Sequence, residues 1–342
     1  MRNPTRLAYN AYLGQQAKLN GVPSATEKFA AAPSVQQKLE TRIQESSEFL
    51  KRINIMGVTE QTGEKLGLGV SGTIASRTDS SGAGTRGTQD ATSLADDPYA
   101  CKQTNYDTHL RYATLDAWAK FPDFQARVRD SVLQRCALDR IMIGFNGTSA
   151  AATTNRVTSP LLQDVNIGWL QKLRANAAAR VMAQGAVAGK VTYGTDPAAD
   201  YKNLDALVYD AYKSLMDAWF QEDPHLVAIV GRDLMHDKLF PLVADNDAPT
   251  ERLAADIVIS QRRLGGLTAM VAPHFPAGKV LVTRLDNLSI YYQDGARRRA
   301  VVDKPERDRI EFYESSNDAY VIEDYGLCAL VENIQDVAPQ GG

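Results

Sequence analysis

Between residues 57 and 113 the sequence makes an excursion for which a compact domain has no obvious use. It opens on apolar residues alternating with glycine, Leu66-Gly67-Leu68-Gly69-Val70. It then passes into a tip rich in Ser, Thr and Gly that carries Arg77, Asp79 and Arg86, and returns through Tyr99, Lys102 and Tyr106. Strand-like arms around a polar tip predict an extended hairpin. An arm of roughly 15 residues at about 3.3 Å each reaches about 50 Å, beyond the radius of a domain this size. Such an arm exposes strand edges unless it lies on something else, and another copy of the chain is the obvious support.

The whole chain has 342 residues, enough for one large domain or two medium ones. Its formal charge of -3 argues against nucleic acid as a primary ligand, because phosphate binders concentrate a basic surplus. The first 29 residues are the exception. Arg2, Arg6, Lys18 and Lys28 face Glu27 alone, which makes this segment +3 and leaves -6 on the remainder. The three cysteines, Cys101, Cys136 and Cys328, are far apart and odd in number, which suits a reducing cytoplasm better than a disulfide framework or a zinc site. No run of 18 apolar residues and no N-terminal apolar stretch is present, so neither a membrane span nor a secretory signal is expected.

Periodicity sketches the rest. A modest amphipathic helix over residues 5–20 stops at Asn20-Gly21-Val22-Pro23. The small-residue junction Phe29-Ala30-Ala31-Ala32-Pro33 follows, and Ser34 with Gln37 forms a capping-box pattern before a helix carrying Val35, Leu39 and Ile43. Residues 122–144 predict the strongest helix, with Pro122 in its first turn and Gly144 and Gly147 as its stop. At 1.5 Å per residue it would be a spine of about 30 Å or more. Beyond it the pattern predicts helices at 164–182, 204–220 and 233–242, a loop at 184–202 and a core strand at 226–230. Short strands are expected at 267–271 and 279–283, an element at 285–292, long strands near 309–314 and 320–331, and a flexible tail over 336–342.

Catalytic chemistry finds no residues to stand on. Gly67-Leu68-Gly69-Val70-Ser71-Gly72 fits a dinucleotide-binding glycine pattern, but no helix start follows to hold a pyrophosphate. The glycines read better as letting a strand lie against another backbone. None of His109, His225, His236 and His274 has a partner at metal-ligand spacing. Asp233, His236 and Asp237 would share one helix face, which a solvated surface explains. The run Arg297-Arg298-Arg299 is balanced nearby by Asp294, Asp303, Glu306 and Asp308, and reads as a solvated or intersubunit charge ladder. No catalytic residue, cofactor site or metal site is expected.

The same segments carry a resemblance. Gln44-Glu45-Ser46-Ser47-Glu48-Phe49-Leu50-Lys51-Arg52-Ile53-Asn54-Ile55, Gly144-Phe145-Asn146-Gly147, Leu162-Gln163-Asp164-Val165 and Gly168-Trp169-Leu170-Gln171-Lys172 begin a series. Gln221-Glu222-Asp223-Pro224, Leu253-Ala254-Ala255-Asp256, Asn287-Leu288-Ser289-Ile290-Tyr291-Tyr292 and Glu323-Asp324-Tyr325 continue it. In this order they resemble the major capsid proteins of tailed bacteriophages, of the phage-P2-like family, over about residues 5–334. The resemblance implies an α+β, HK97-like capsid fold. Its parts would be an N-terminal arm (1–56), an extended loop or E-loop (57–113), a peripheral domain (114–163 and 286–335) containing the spine, an axial domain (164–285) and the tail (336–342).

Such a protein would do its work by association: hexamers and pentamers of an icosahedral shell, with E-loops lying across neighbouring subunits. Arg77, Asp79, Arg86 and Lys102 are the expected E-loop contacts. Family members are commonly trimmed by a prohead protease, so Phe29, Ala30 and Ala31 are expected to mark a processing region. The implied partners are the chain itself, a scaffolding protein or prohead protease, a portal protein, and packaged DNA held by enclosure and not by specific binding. No membrane partner is expected; the location is the virion, after assembly in the bacterial host cytoplasm. An encapsulin-like compartment shell and a soluble α/β enzyme are the alternatives.

Overall fold

The computed structural model describes residues 1–66, 69–70, 75–79, 81, 85–88, 92–93, 96–118, 124–236, 238 and 262–337. The expected start of the spine at Pro122, most of the glycine pattern, half of the 233–242 helix and the block at 253–256 lie outside these residues.

The hub of the fold is one strand of 14 residues, Arg309–Ile322. The strands expected near 309–314 and 320–331 leave out the polar run Ser315-Ser316-Asn317-Asp318, which the structure includes in this one strand. Those residues stay extended because the ladder satisfies their backbone: Ser315 to Asp318 pair antiparallel with Lys102–Asn105. The hub's first half also pairs with Arg298–Lys304 on one side and Thr108–Arg111 on the other, and its second half pairs with Leu288–Gln293. Asn54–Val58 adds parallel to Leu288–Gln293, and Phe29–Ala30 closes the opposite edge against Arg298 and Arg299.

Among the described residues, six α-helices accompany this seven-stranded sheet and a second, six-stranded one, besides the short helical stretch 232–236. They are α1 (Asn3–Asn20), α2 (Pro33–Glu45), α3 (Tyr112–Trp118), α4 (Phe124–Asn146), α5 (Trp169–Asn176) and α6 (Leu204–Leu215). α1 ends as expected, with Gly21 left-handed at φ 65° and its N–H returned to the carbonyls of Ala17 and Lys18. The capping box expected at Ser34 is not made. Ala32 is the N-cap, no side chain caps the helix, and Pro33 occupies the first turn.

α4 runs through Gly144 to Asn146, so Gly144 is not the helix stop that its identity suggested. A Cβ there would lie 2.2 Å from the Trp169 ring, and one at Gly168 would meet the Gly144 carbonyl oxygen at 2.4 Å. Both glycines serve the close crossing of α4 and α5, where Trp169 is fully buried against Phe49, Phe145 and Tyr320. The helix expected at 164–182 is therefore only α5, followed by a short 3-10 turn at Ala178–Arg180 and the strand Val181–Met182. Likewise the 204–220 helix stops at Leu215, and the 184–202 segment contains the strand Val191–Tyr193.

The six-stranded sheet orders Arg263–Leu264, Leu267–Met270, Val227–Val230, Val280–Thr283, Ala329–Val331 and Val181–Met182. Alternation along Val227–Val230 divides it between two cores. Val227 and Ile229 join the core of Phe145, Trp169 and Tyr320, whereas Ala228 and Val230 join the core under α6 with Leu207, Val208 and Ala211. Burial on both faces explains why this strand reads as an unbroken apolar run.

Two sequence-drawn boundaries move as a result. α5 packs in the spine core despite lying within 164–285, and Ala329–Val331 belongs to the six-stranded sheet, not to the sheet of the hub strand. Asp336, placed by the sequence at the start of the tail, lies in the strand Ile334–Asp336, which pairs parallel with Val191–Tyr193.

Candidate assembly surfaces

The hairpin is rooted twice in the hub sheet. Its entry strand Asn54–Val58 lies on Leu288–Gln293, and its exit strands Lys102–Asn105 and Thr108–Arg111 lie on the hub itself. Between these roots Thr62–Leu66 pairs antiparallel with Asp96–Ala100, and the same register continues to Gly69–Val70 against Thr92–Ser93. At its base the buried Lys65 donates from Nζ to the Ile322 carbonyl at 2.5 Å, and its ammonium sits 5.4 Å from the Tyr325 ring centroid. Tyr99 packs edge-on against Tyr291 on the hub sheet, with ring centroids 5.2 Å apart. The stem is thus fixed to its own subunit, and the described tip residues 75–79, 81 and 85–88 are exposed.

Arg77, Asp79 and Arg86 are exposed near the tip, and Lys102 is exposed at the stem's return. Asp79 turns inward on its own loop, accepting from the backbone N–H of Ser81 at 2.9 Å and from its hydroxyl at 2.6 Å. These two donors hold its carboxyl below the ordinary value. Of the expected contact residues, Asp79 is therefore an organiser of its own turn.

The N-terminal arm is held in two ways. α1 lies over Leu115, Val301 and Ile310 through Tyr9, with Tyr12 edge-on to Phe312. Around this patch Arg6 pairs with Asp303, and the backbone N–H of Arg2 donates to Asp116 at 2.9 Å. Phe29 and Ala31 are buried, Ala30 is exposed, and the Ala31 N–H donates to the Arg297 carbonyl at 2.8 Å. The hairpin contacts and the junction residues are not brought together; they occupy separate regions of the sheet.

α2 is held by a buried charge cluster in which Glu40, Arg140, Glu314 and Asp318 were not singled out from the sequence and Arg297 was read differently. Its buried line is Gln36, Glu40 and Ile43. Arg140 of α4 is fully buried and bidentate on Asp318 of the hub, with Nε and Nη2 each at 3.1 Å, and its Nη2 also reaches Glu40 at 3.2 Å. Arg297, 1 % exposed, pairs with the same Glu40 and donates from Nε to Glu314 at 2.7 Å; Arg299 reaches Glu314 at 3.3 Å. Tyr106 and Ser316 hydroxyls complete the shell around Asp318 at 3.2 and 2.9 Å. The solvated or intersubunit ladder expected at 297–299 is thus corrected at Arg297, which enters the core of its own subunit, where it pairs with Glu40 and Glu314.

Charge balance makes the burial tolerable: Glu40, Glu314 and Asp318 face Arg140, Arg297 and Arg299. Burial alone would raise the Glu40 carboxyl, yet Arg140 and Arg297 outweigh it and hold the group below its ordinary value. Glu314 is lowered against burial by Arg297 and Arg299. Asp318 and Glu40 likewise raise Arg140 well above its ordinary value despite desolvation. A signal was present in the sequence: Arg140 stands four residues after Cys136 on the spine's buried line, and Glu40 four after Gln36 on that of α2.

The remaining candidates for chemistry stay apart. Burial pushes the thiols of Cys101 to about 11 and of Cys136 and Cys328 to about 12, so these thiols are not activated nucleophiles. Among the described residues no group of three or more His, Cys, Asp or Glu side chains could hold a metal ion. No described helix is long and apolar enough to cross a membrane.

An arm, a rooted hairpin, a spine helix and two cores sharing one sheet form the HK97-like capsid fold. Comparison with solved structures agrees. The capsid of an empty GTA particle superposes with a TM-score of 0.50 at 13% identity, covering 85% of this chain and 90% of that one, which speaks for the fold alone. A chain of the satellite phage P4 procapsid that includes the size determination (Sid) protein superposes with a TM-score of 0.82 at 46% identity, over 98% of this chain and 99% of that one. The protein is therefore a phage shell subunit. Residues 8–334 match the model of the phage major capsid protein P2 family, and the chain belongs to that family. It is 49% identical to the capsid proteins of Escherichia phage P2 over 98% of this chain and 96% of that sequence. It is 41% identical to the major capsid protein of Serratia phage KSP20 over the full length of both.

Proposed function

We propose that this major capsid protein works entirely by association, through hexamers and pentamers whose hairpins cross onto neighbouring subunits. The observation that carries this is the asymmetry of the hairpin: a stem locked by Lys65 and Tyr99, and a tip whose Arg77 and Arg86 are exposed. An arm presented in this way gains main-chain and charged contacts only from another copy, and closed symmetry multiplies each weak contact. In this reading the core around Trp169 is the peripheral part and the core under α6 the axial part. Assembly would proceed in the host cytoplasm with a scaffold or prohead protease and a portal, and DNA would be held by enclosure. No step needs bond chemistry by this chain. Negative-stain microscopy of the chain expressed with its neighbouring gene products is expected to reveal capsomer rings or closed shells; a monomer that persists at high concentration would overturn the reading.

We further propose that the segment ending near Phe29, Ala30 and Ala31 is removed during maturation. It is held by apolar packing and a partly exposed ion pair between Arg6 and Asp303, with no fully buried ion pair of its own among the described residues, whereas α2 immediately after it is bolted down by Glu40. The burial of Phe29 and Ala31 means that the Phe29–Ala30 edge must open before a protease can reach it. Loss of residues 1–29 removes +3 and leaves -6 per subunit, a shell that repels DNA on average. Intact-mass measurement of mature heads is expected to give a chain shorter by about this segment; retention of Met1 would overturn it.

A further inference from the structure

One surface runs against the acidic balance of the chain. Arg135 on α4, Arg156 on the loop that follows α4, Arg232 at the helical turn 232–236 and His274 are all exposed, and they come from four separate stretches of chain. Three of them, Arg135, Arg156 and His274, act on one carboxylate. Arg135 pairs with Asp139 at 2.7 Å, while Arg156 and His274 lie within electrostatic reach of Asp139. His274 in turn feels Arg135, Asp139 and Arg232, and burial followed by the field of Arg135 lowers its pKa. Among the described residues neither Arg156 nor Arg232 has an acidic partner at ion-pair distance; Asp139 faces Arg135 and Arg156, and Arg232 adds its charge beside His274. A pocket of about 340 Å³ opens here, lined by Arg232, Val271, Ala272, Pro273, His274 and Phe275. The turn is fixed: His274 holds a left-handed φ of 57°, and its carbonyl accepts from Asn146 Nδ2 at 2.9 Å.

We propose that Arg135, Arg156, Arg232 and His274 form a phosphate-binding patch that contacts the backbone of duplex DNA without reading its sequence. Guanidinium forks match phosphate oxygens with paired N–H donors, and all three cations here are Arg, not Lys. An acidic segment of a second copy would need an apolar anchor at the centre of its site, whereas Ala272 and Phe275 lie buried beneath the charges. The inference rests on the reading that the shell encloses DNA, and it deepens that reading: a wall repulsive on average would carry discrete points of attachment.

The test is fluorescence anisotropy of a labelled mixed-sequence DNA duplex with the full-length chain at rising NaCl. For three phosphate contacts the logarithm of the binding constant should fall against log salt with a slope of about -2.7. In the double variant Arg156→Gln/Arg232→Gln the slope should shrink by about 1.8, with weaker binding at low salt. Both positions are exposed, so the variant is expected to keep its fold, which the wild-type urea midpoint checks. Identical affinity and slope in the double variant would overturn the proposal. Unchanged DNA binding with failed shell formation would also overturn it, and would identify the patch as a contact between copies. Wild-type shells that form normally while the chain leaves DNA unbound would remove this inference and leave the capsid assignment intact.

Discussion

Replacing Arg140 with Met lowers the stability of the subunit by about 3–5 kcal/mol, because it strands two buried carboxylates without their shared partner. Arg140 is fully buried and donates to both Glu40 and Asp318. Met fills a similar volume and supplies no donor, so the loss is electrostatic more than steric. Arg140→Lys should fall between the two, since one ammonium cannot bridge two carboxylates as a planar fork does. Urea unfolding at pH 7 measures this, and a Met variant within about 1 kcal/mol of the parent would show the cluster to be energetically idle.

The same cluster gives the protein an acid limit. Glu40 and Glu314 have folded pKa values below the ordinary 4.5, so the unfolded chain takes up protons first as pH falls. Their stabilisation is fully present above that ordinary value and is lost as pH drops through the folded values. The urea midpoint of the parent should therefore decline below about pH 5. In Arg140→Met the decline should be shallower, because Glu40 has lost a cation that lowered its pKa.

The second large effect separates folding from assembly. Deleting residues 77–88 should leave a subunit with an unchanged urea midpoint but reduce closed shells on the order of tenfold or more, since each shell repeats the lost contact many times. Folding is spared because the described tip residues are exposed, while the stem keeps its ladder and the Lys65 bond to Ile322. Sedimentation and negative-stain counts read the outcome. Normal shells from this deletion would make the tip dispensable and move the intersubunit contact elsewhere, with Lys102 the next residue to test.

Where the sequence misled, the cause was a local rule overruled by a distant partner. Ser315-Ser316-Asn317-Asp318 has turn chemistry but is held extended by Lys102–Asn105, more than 200 positions earlier in the chain. Gly144 has stop chemistry but lies inside α4, because Trp169 needs the space that a side chain would take. Arg297 belongs to a run of three arginines that pattern alone assigns to solvent, yet Glu40 and Glu314 draw it into the core. In each case a deciding contact comes from outside the local window: Lys102–Asn105 for the polar run, Trp169 for Gly144 and Glu40 for Arg297.

The sequence by itself determined the hairpin, the spine, the core strand Val227–Val230 and the absence of any recognisable catalytic constellation. Each of these depends on periodicity, glycine placement or composition, which act over a few neighbouring residues. Only the tertiary structure decided which parts of the arm are fixed and which are free. It bolts α2 to α4 and the hub through Glu40 and Arg140, lays α1 over a small patch by Tyr9, and roots the hairpin stem while leaving its tip exposed. It also brought Arg232 and His274 to one pocket, with Arg135 within electrostatic reach of His274. A buried charge survives only where an opposite charge is delivered to it, and that delivery depends on the packing of elements far apart in the chain.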